Sequence, residues 1–284
     1  MPKRDVLTRS KQKKALALYA DNRLDEAREL CEKILRADRR NAEAWVLMCT
    51  ICRRAGDLQS AENACRQALQ LNPEHAPSHH ALGAALHLQG CLADAVVCYR
   101  RAIQLQADFV EAYYFLANAL REIDQLDDAI VAYRALLKIQ PGHFESLNNL
   151  GALLNHVGET QEAIEIFERA LEQRPNSVEL LNNLGNAYLQ HGRPDKAVET
   201  FQLAVSLSPE FFDAYGGLSR ALLNCGRIEE ALAANEAAMG MRPDAVGVLS
   251  QRAHLLEVQG EFEKAFVLLE PLLESHQYVK MNLE

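Results

Sequence analysis

One residue type returns along this chain at a fixed interval: Ala27, Ala61, Ala95, Ala129, Ala163, Ala197, Ala231 and Ala265, each 34 residues after the last. Other columns keep the same beat. A second small-residue column reads Ala15, Cys49, Gly83, Ala117, Gly151, Gly185, Ser219 and Ala253. A turn column reads Asn22, Gly56, Gly90, Asp124, Gly158, Gly192, Gly226 and Gly260. Prolines recur at Pro73, Pro141, Pro175, Pro209 and Pro243, with Ala107 in the one internal gap. A chain built this way stacks one small unit many times, because a single unit cannot bury its own apolar face.

The content of a unit follows from its spacing. In residues 110–143, counted from 1 to 34, the apolar or small residues Tyr113, Leu116, Ala117 and Leu120 fall on one stripe of a helix. Asp124 then occupies the turn position, and Ala129, Ile130, Tyr133, Leu136 and Leu137 form the stripe of a second helix. Pro141 stops that helix, since proline lacks the amide donor and clashes with the preceding turn. Two helices joined by a short turn are antiparallel neighbours, and small residues at positions 8 and 20 let their backbones approach. The register predicts a basic N-terminal tail at 1–7 and eight helical hairpins at 8–41, 42–75, 76–109, 110–143, 144–177, 178–211, 212–245 and 246–279. A C-terminal tail at 280–284 follows.

These columns resemble the tetratricopeptide repeat (TPR) family. Leu184-Gly185, Tyr188, Ala197, Phe201, Ala204 and Pro209 reproduce most of its pattern within one unit, and Trp45 supplies its large residue at position 4 of another. The resemblance implies an all-α, right-handed superhelical solenoid whose concave groove is lined by the first helix of each unit. Two units depart from the pattern. The first has Lys11 and Lys14 at core positions, which suits a cap facing water; the last has Arg252 at position 7 and Pro271 inside its second helix. With no polar capping helix after the eighth unit, the expectation is a truncated fragment or a chain that self-associates through its C-terminal repeat.

Charge and composition narrow the function. The net charge of −9 argues against nucleic acid, which needs a basic stripe to displace counterions. The basic cluster Lys3, Arg4, Arg9, Lys11, Lys13 and Lys14 reads as solvated tail. The apolar run Ala15–Ala20 behind it is too short for a secretion signal and fits the first unit in register. No run of about 18 apolar residues offers a membrane span. Seven cysteines without framework spacing suggest a reducing, cytoplasmic setting.

No phosphate loop, metalloprotease helix, nucleophile elbow or kinase signature is present, so the expectation is a protein that is not an enzyme and needs no cofactor. Cys49 and Cys52 mimic a redox or zinc motif but occupy core positions, as do Cys31 and Cys65, and read as buried thiols. His80 and His87 share a helix face near His79, yet read as surface histidines. The acids Glu43, Glu111, Glu145, Glu179 and Asp213 all stand at position 2, where the helix dipole favours them; they could also form a negative edge that selects basic partners.

The residues without a bland explanation are asparagines. Opposite the core stripe of the first helices lie Asn118, Arg121, Asn148, Asn149, Asn155, Asn182, Asn183, Asn186, Arg220 and Asn224. Asparagine costs about 0.6 kcal/mol against alanine in a helix interior, so the six in the fifth and sixth units cost roughly 3–4 kcal/mol of helix preference. An amide offers two donors and an acceptor, and a ladder of amides suits the backbone of an extended peptide. The alternatives are a wet polar face or amides bonded between neighbouring units. Leu-Asn-Asn-Leu-Gly, at 147–151 and 181–185, resembles the repeats of O-GlcNAc transferases, whose groove asparagines guide protein substrates. The carboxylate clamp of chaperone-binding TPR domains is incomplete, because Asn182 and Gly216 stand where it has lysine. The expected function is a scaffold that binds extended segments of a protein or peptide partner; the competing expectation is a substrate-recruiting module of a larger glycosyltransferase or sulfotransferase.

Overall fold

The computed structural model describes residues 2–270, with the backbone alone for 2–9. Every element among the described residues is helical. In order they are α1 (Pro2–Ala20), α2 (Leu24–Ala37), α3 (Ala42–Arg54), α4 (Leu58–Leu71), α5 (Ala76–Leu88), α6 (Leu92–Leu105), α7 (Val110–Glu122) and α8 (Leu126–Ile139). Then come α9 (Phe144–His156), α10 (Thr160–Gln173), α11 (Val178–Gln190), α12 (Pro194–Leu207), α13 (Phe212–Asn224), α14 (Ile228–Met241) and α15 (Val246–Val258). Residues 262–270 are again helical. Pro271 and the expected tail at 280–284 lie outside the described residues. The chain divides into two compact halves, Met1–His143 and Phe144–Glu284. Within each half, a helix packs chiefly on its neighbours in sequence, as expected of stacked hairpins.

The turn column explains how each hairpin closes. All eight of its residues have positive φ, between 60° and 91°. Glycine adopts that conformation freely, and asparagine and aspartate tolerate it, which is why Asn22 and Asp124 are the two exceptions. The following residue turns its amide back onto the last turn of the helix, as in Asp57 to the Cys52 carbonyl at 2.9 Å and Arg193 to the Tyr188 carbonyl at 2.8 Å. This closure satisfies carbonyls that a helix end otherwise leaves without partners.

The core shows what the small column accommodates. Position 8 of each first helix faces position 24 of its partner: a Cβ on Gly151 would lie 2.7 Å from the Phe167 ring, and one on Gly185 the same distance from Phe201. Tyr99, Tyr133, Phe167 and Phe201 are all fully buried there. In the seventh unit the pair is polar instead: Ser219 is buried opposite Asn235 and donates to the Ala231 carbonyl at 2.7 Å.

Three sequence expectations need correction. The basic segment expected as a solvated tail at 1–7 is helical from residue 2 onward, as part of α1. Cys49 and Cys65 are joined by a disulfide, with their Cα atoms 5.7 Å apart, so they are not a pair of free buried thiols. The reason is the pairing just described, which brings positions 8 and 24 side by side across the hairpin. The polar face of the first helices is also narrower than the four-residue stripe implies. Positions 3 and 10 are buried too, as Leu180 and Ala187 show in α11. These helices pack on two sides, and the amides at their margins become half-buried.

Candidate functional site

Eight of the ten face residues lie in the second half, on α9, α11 and α13. Asn148, Asn149, Asn155, Asn182, Asn183 and Asn186 are half-buried, while Arg220 and Asn224 are exposed. Asn118 and Arg121 sit on α7 in the first half, and Asn118 is turned to its own hairpin, accepting the Tyr133 hydroxyl at 2.5 Å. That bond makes Asn118 part of the hairpin's internal packing; Arg121 is exposed.

In the second half the amides are partly laddered. Asn183 Nδ2 donates to Asn148 Oδ1 at 3.2 Å, one rung between neighbouring first helices. Arg220 donates to Asn186 Oδ1 at 2.9 Å, and Asn186 Nδ2 donates to the Asn182 carbonyl at 3.0 Å. These bonds order the side chains without exhausting them. Asn182 Oδ1 and Asn155 Oδ1 are buried acceptors with no partner among the described residues.

The residue that carries each of those acceptors lines a hollow. One, of about 420 Å3, is lined by Asn182, Asn186, Asp213, Gly216, Arg220 and Gly247 among others. The second, of about 490 Å3, is lined by Asn155, Asn186, Leu189, Arg220, Asn224 and His254 among others. Asn186 and Arg220 border both, so their hydrogen bond stands between two adjoining hollows. The first is open because side chains are missing. A Cβ on Gly216 or Gly247 would meet nothing within 4 Å, and Gly216 stands where the two preceding units carry Asn148 and Asn182. Gln251 reaches the Gly216 carbonyl at 3.3 Å and closes the far wall.

The acids at position 2 occupy the first helical turn, as their spacing requires. They are not equivalent. Glu145 pairs with Arg174 at 3.7 Å, whose guanidinium lies 3.6 Å over the Phe144 ring. Asp213 lines the glycine-opened hollow without a cationic partner among the described residues. Sequence reasoning missed Gly216, Gly247 and Gln251. The available signal was the tandem Gly216-Gly217 inside a helix, an expense that only Gly217 recovers by packing against Phe201.

The residues set aside as decoys are committed elsewhere. His79 Nε2 bonds the Pro73 carbonyl at 2.8 Å, and His87 Nε2 lies 3.1 Å from both carboxylate oxygens of Glu122. His80 is not a surface histidine: its ring packs among Tyr99, Phe109 and Phe115, and burial pushes its pKa down to about 4, with Arg53 adding to the effect. Cys31 is pushed up to about 12 by burial beside Cys52. Among the described residues, no group of three or more His, Cys, Asp or Glu could hold a metal ion.

Paired helices closed by left-handed turns, with an amide-bearing face, define a helical-repeat scaffold for protein contacts. Comparison with known proteins narrows this class. Models described as tetratricopeptide repeat match residues 18–86, 89–144, 142–210 and 182–246, and the chain belongs to that family. Its structure resembles a tetratricopeptide repeat protein of Parabacteroides merdae (22% identity, TM-score 0.63, covering 81% of this chain and 91% of that one). It also resembles YrrB, a TPR protein with an unusual peptide-binding site (19% identity, TM-score 0.59, covering 65% and 95%). MamA is similar at 25% identity and a TM-score of 0.56, covering 60% and 92%. No curated protein sequence matches the chain. No described helix is long and apolar enough to cross a membrane.

Proposed function

We propose that the second half binds an extended segment of a partner protein along Asn148, Asn149, Asn155, Asn182, Asn183, Asn186, Arg220 and Asn224. The observation that carries this reading is the pair of buried, unpartnered acceptors, Asn155 Oδ1 and Asn182 Oδ1, one at each of two adjoining hollows. An acceptor left without a donor costs about 1–3 kcal/mol. Backbone amides of an extended chain are donors that would relieve it, once the amide side chains turn into the hollows, with little demand on side-chain sequence. The Asn186–Arg220 bond holds the dividing wall in place before a ligand arrives, and such preorganisation lowers the cost of binding. The peptide-binding site named for YrrB is a precedent within the same fold. The competing reading, a substrate-recruiting module of a larger glycosyltransferase or sulfotransferase, has the Leu-Asn-Asn-Leu-Gly resemblance in its favour.

The test begins with peptides selected from a displayed random library on the wild-type chain. Their affinities are then measured by calorimetry against a variant carrying Asn148→Ala, Asn182→Ala, Asn186→Ala and Arg220→Ala. The expected result is a loss of about tenfold or more, equivalent to about 1.4 kcal/mol. Equal affinity for both proteins would sink the proposal and leave the asparagines as solvated surface.

A further inference from the structure

Another hollow lies in the other half and shares no residue with the amide face. It is a groove of about 620 Å3 between α2 and α4, with α3 as its floor. The floor is apolar, with Trp45 and Met48 on α3, and Leu35 and Ala64 extend the apolar lining onto α2 and α4; Leu35, Met48 and Ala64 are themselves buried. The indole is fixed by a hydrogen bond from Nε1 to the Arg39 carbonyl at 3.0 Å. Three guanidiniums, those of Arg28, Arg36 and Arg39, line the groove against a single carboxylate, Glu32.

The charges there are unbalanced. Glu32 is shared between Arg28 at 3.8 Å and Arg36 at 3.2 Å, and Arg28 also reaches Asp57 at 3.4 Å. Arg39 is exposed and has no acidic partner among the described residues. The corresponding groove between α6 and α8 shows the contrast. It holds about 300 Å3, has Tyr113 in place of tryptophan, and its Arg100 is neutralised by Asp128 at 2.6 Å. The halves differ in the same sense: residues 1–143 carry 20 Lys and Arg against 18 Asp and Glu, a balance of +2. Residues 144–284 carry 10 against 21, a balance of −11.

We infer that this groove is a second docking surface, and that its occupant is an acidic peptide segment carrying a bulky apolar side chain. The apolar side chain rests on Trp45 and Met48, whose flexible thioether adapts to varied shapes. Aspartate or glutamate carboxylates on either side of it meet Arg36 and Arg39, since the guanidinium fork matches a carboxylate in two-point geometry. A basic segment is turned away by the same residues. The surface is independent of the amide face, so either reading stands if the other fails.

Trp45 is the only tryptophan of the chain, so its emission reports on this groove alone. The experiment titrates the whole protein with a blocked peptide alternating aspartate and leucine, with its lysine-for-aspartate counterpart, and with an all-aspartate peptide. The expected result is a saturable change in Trp45 emission with the first peptide only. That affinity should fall about tenfold or more in an Arg36→Glu/Arg39→Glu variant, and should weaken as salt rises, because exposed charges are screened. Neither arginine is buried, and circular dichroism checks that the variant folds; the salt series on the wild type needs no variant at all. No saturable change, an equal response to the lysine peptide, or an affinity indifferent to both salt and the double substitution would each overturn the inference.

Discussion

Gly216 and Gly217 are neighbours in α13, yet the structure assigns them opposite consequences on substitution. A Cβ on Gly216 would enter open space, whereas one on Gly217 would press into the Phe201 ring. Alanine is better than glycine in a helix interior by about 1 kcal/mol, and that gain applies equally to both positions. Gly216→Ala therefore stabilises the protein by about 0.5–1 kcal/mol. At Gly217 the same gain is set against overpacking, which costs about 1–3 kcal/mol in a filled core. Phe201 cannot retreat, because a Cβ-sized gap is also missing on its other side, at Gly185. The cost belongs in the upper part of that range, and Gly217→Ala destabilises by about 1–2 kcal/mol. Subtracting the two variants cancels helix preference and leaves the overpacking alone.

Urea unfolding followed by far-ultraviolet circular dichroism measures this, with the slope checked for constancy so that midpoints compare stabilities. Emission from Trp45 is unsuitable, since it reports the first half. The reasoning fails if the two variants agree within about 0.5 kcal/mol, near the limit of what extrapolated stabilities resolve. A Phe201→Leu background adds a sharper check: with the ring gone, Gly217→Ala should lose most of its penalty, a coupling that distant sites do not show. Gly216→Ala has a further use. It narrows the hollow beside Asn182 while strengthening the fold, so weaker binding of selected peptides by a more stable protein would tie the hollow to function.

Two other outcomes are expected. His80 is neutral in its aromatic pocket, with a pKa near 4 against 6.5 for a free histidine, so its contribution is present above pH 6.5 and is lost as pH falls from there toward 4; Tyr99, Arg53 and Glu111 are the titratable or charged groups that bear on it most closely. Denaturation midpoints of wild type and His80→Phe should diverge across that window, and parallel curves would refute it. If Cys49 and Cys65 are joined as the structure has them, thiol titration of the oxidised protein in denaturant finds five reactive cysteines, rising to seven after reduction; seven without reduction would show the bond absent.

The hairpins were legible in the sequence because their cause is local. A left-handed residue must follow each first helix, and few residue types tolerate that backbone, so Gly56, Gly90 and the rest announce the turns. The small column announces close approach for the same reason. What the columns did not reveal was which side chain the small residue makes room for. Position 8 meets position 24, so Gly185 is intelligible only with Phe201, and the Cys49–Cys65 bond only once both are seen across one hairpin. Burial at positions 3 and 10 was also hidden, since the alanines and serines that fill most of those places look neutral until a neighbouring hairpin covers them.

The candidate site was legible in a different sense. Six asparagines in helix interiors conflict with local preference, and conflict between levels marks a place where something other than folding is being satisfied. The structure divides that conflict unequally. Asn183 and Asn148 bond each other and Asn118 bonds Tyr133, so these amides have an internal use. Asn155 and Asn182 keep buried acceptors with nothing to accept, and Gly216 keeps a space with nothing in it. An expensive residue that recovers its cost by packing, as Gly217 does, belongs to the fold. The expense left over at Asn155, Asn182 and Gly216 falls around two adjoining hollows, which is where a bound segment would recover it.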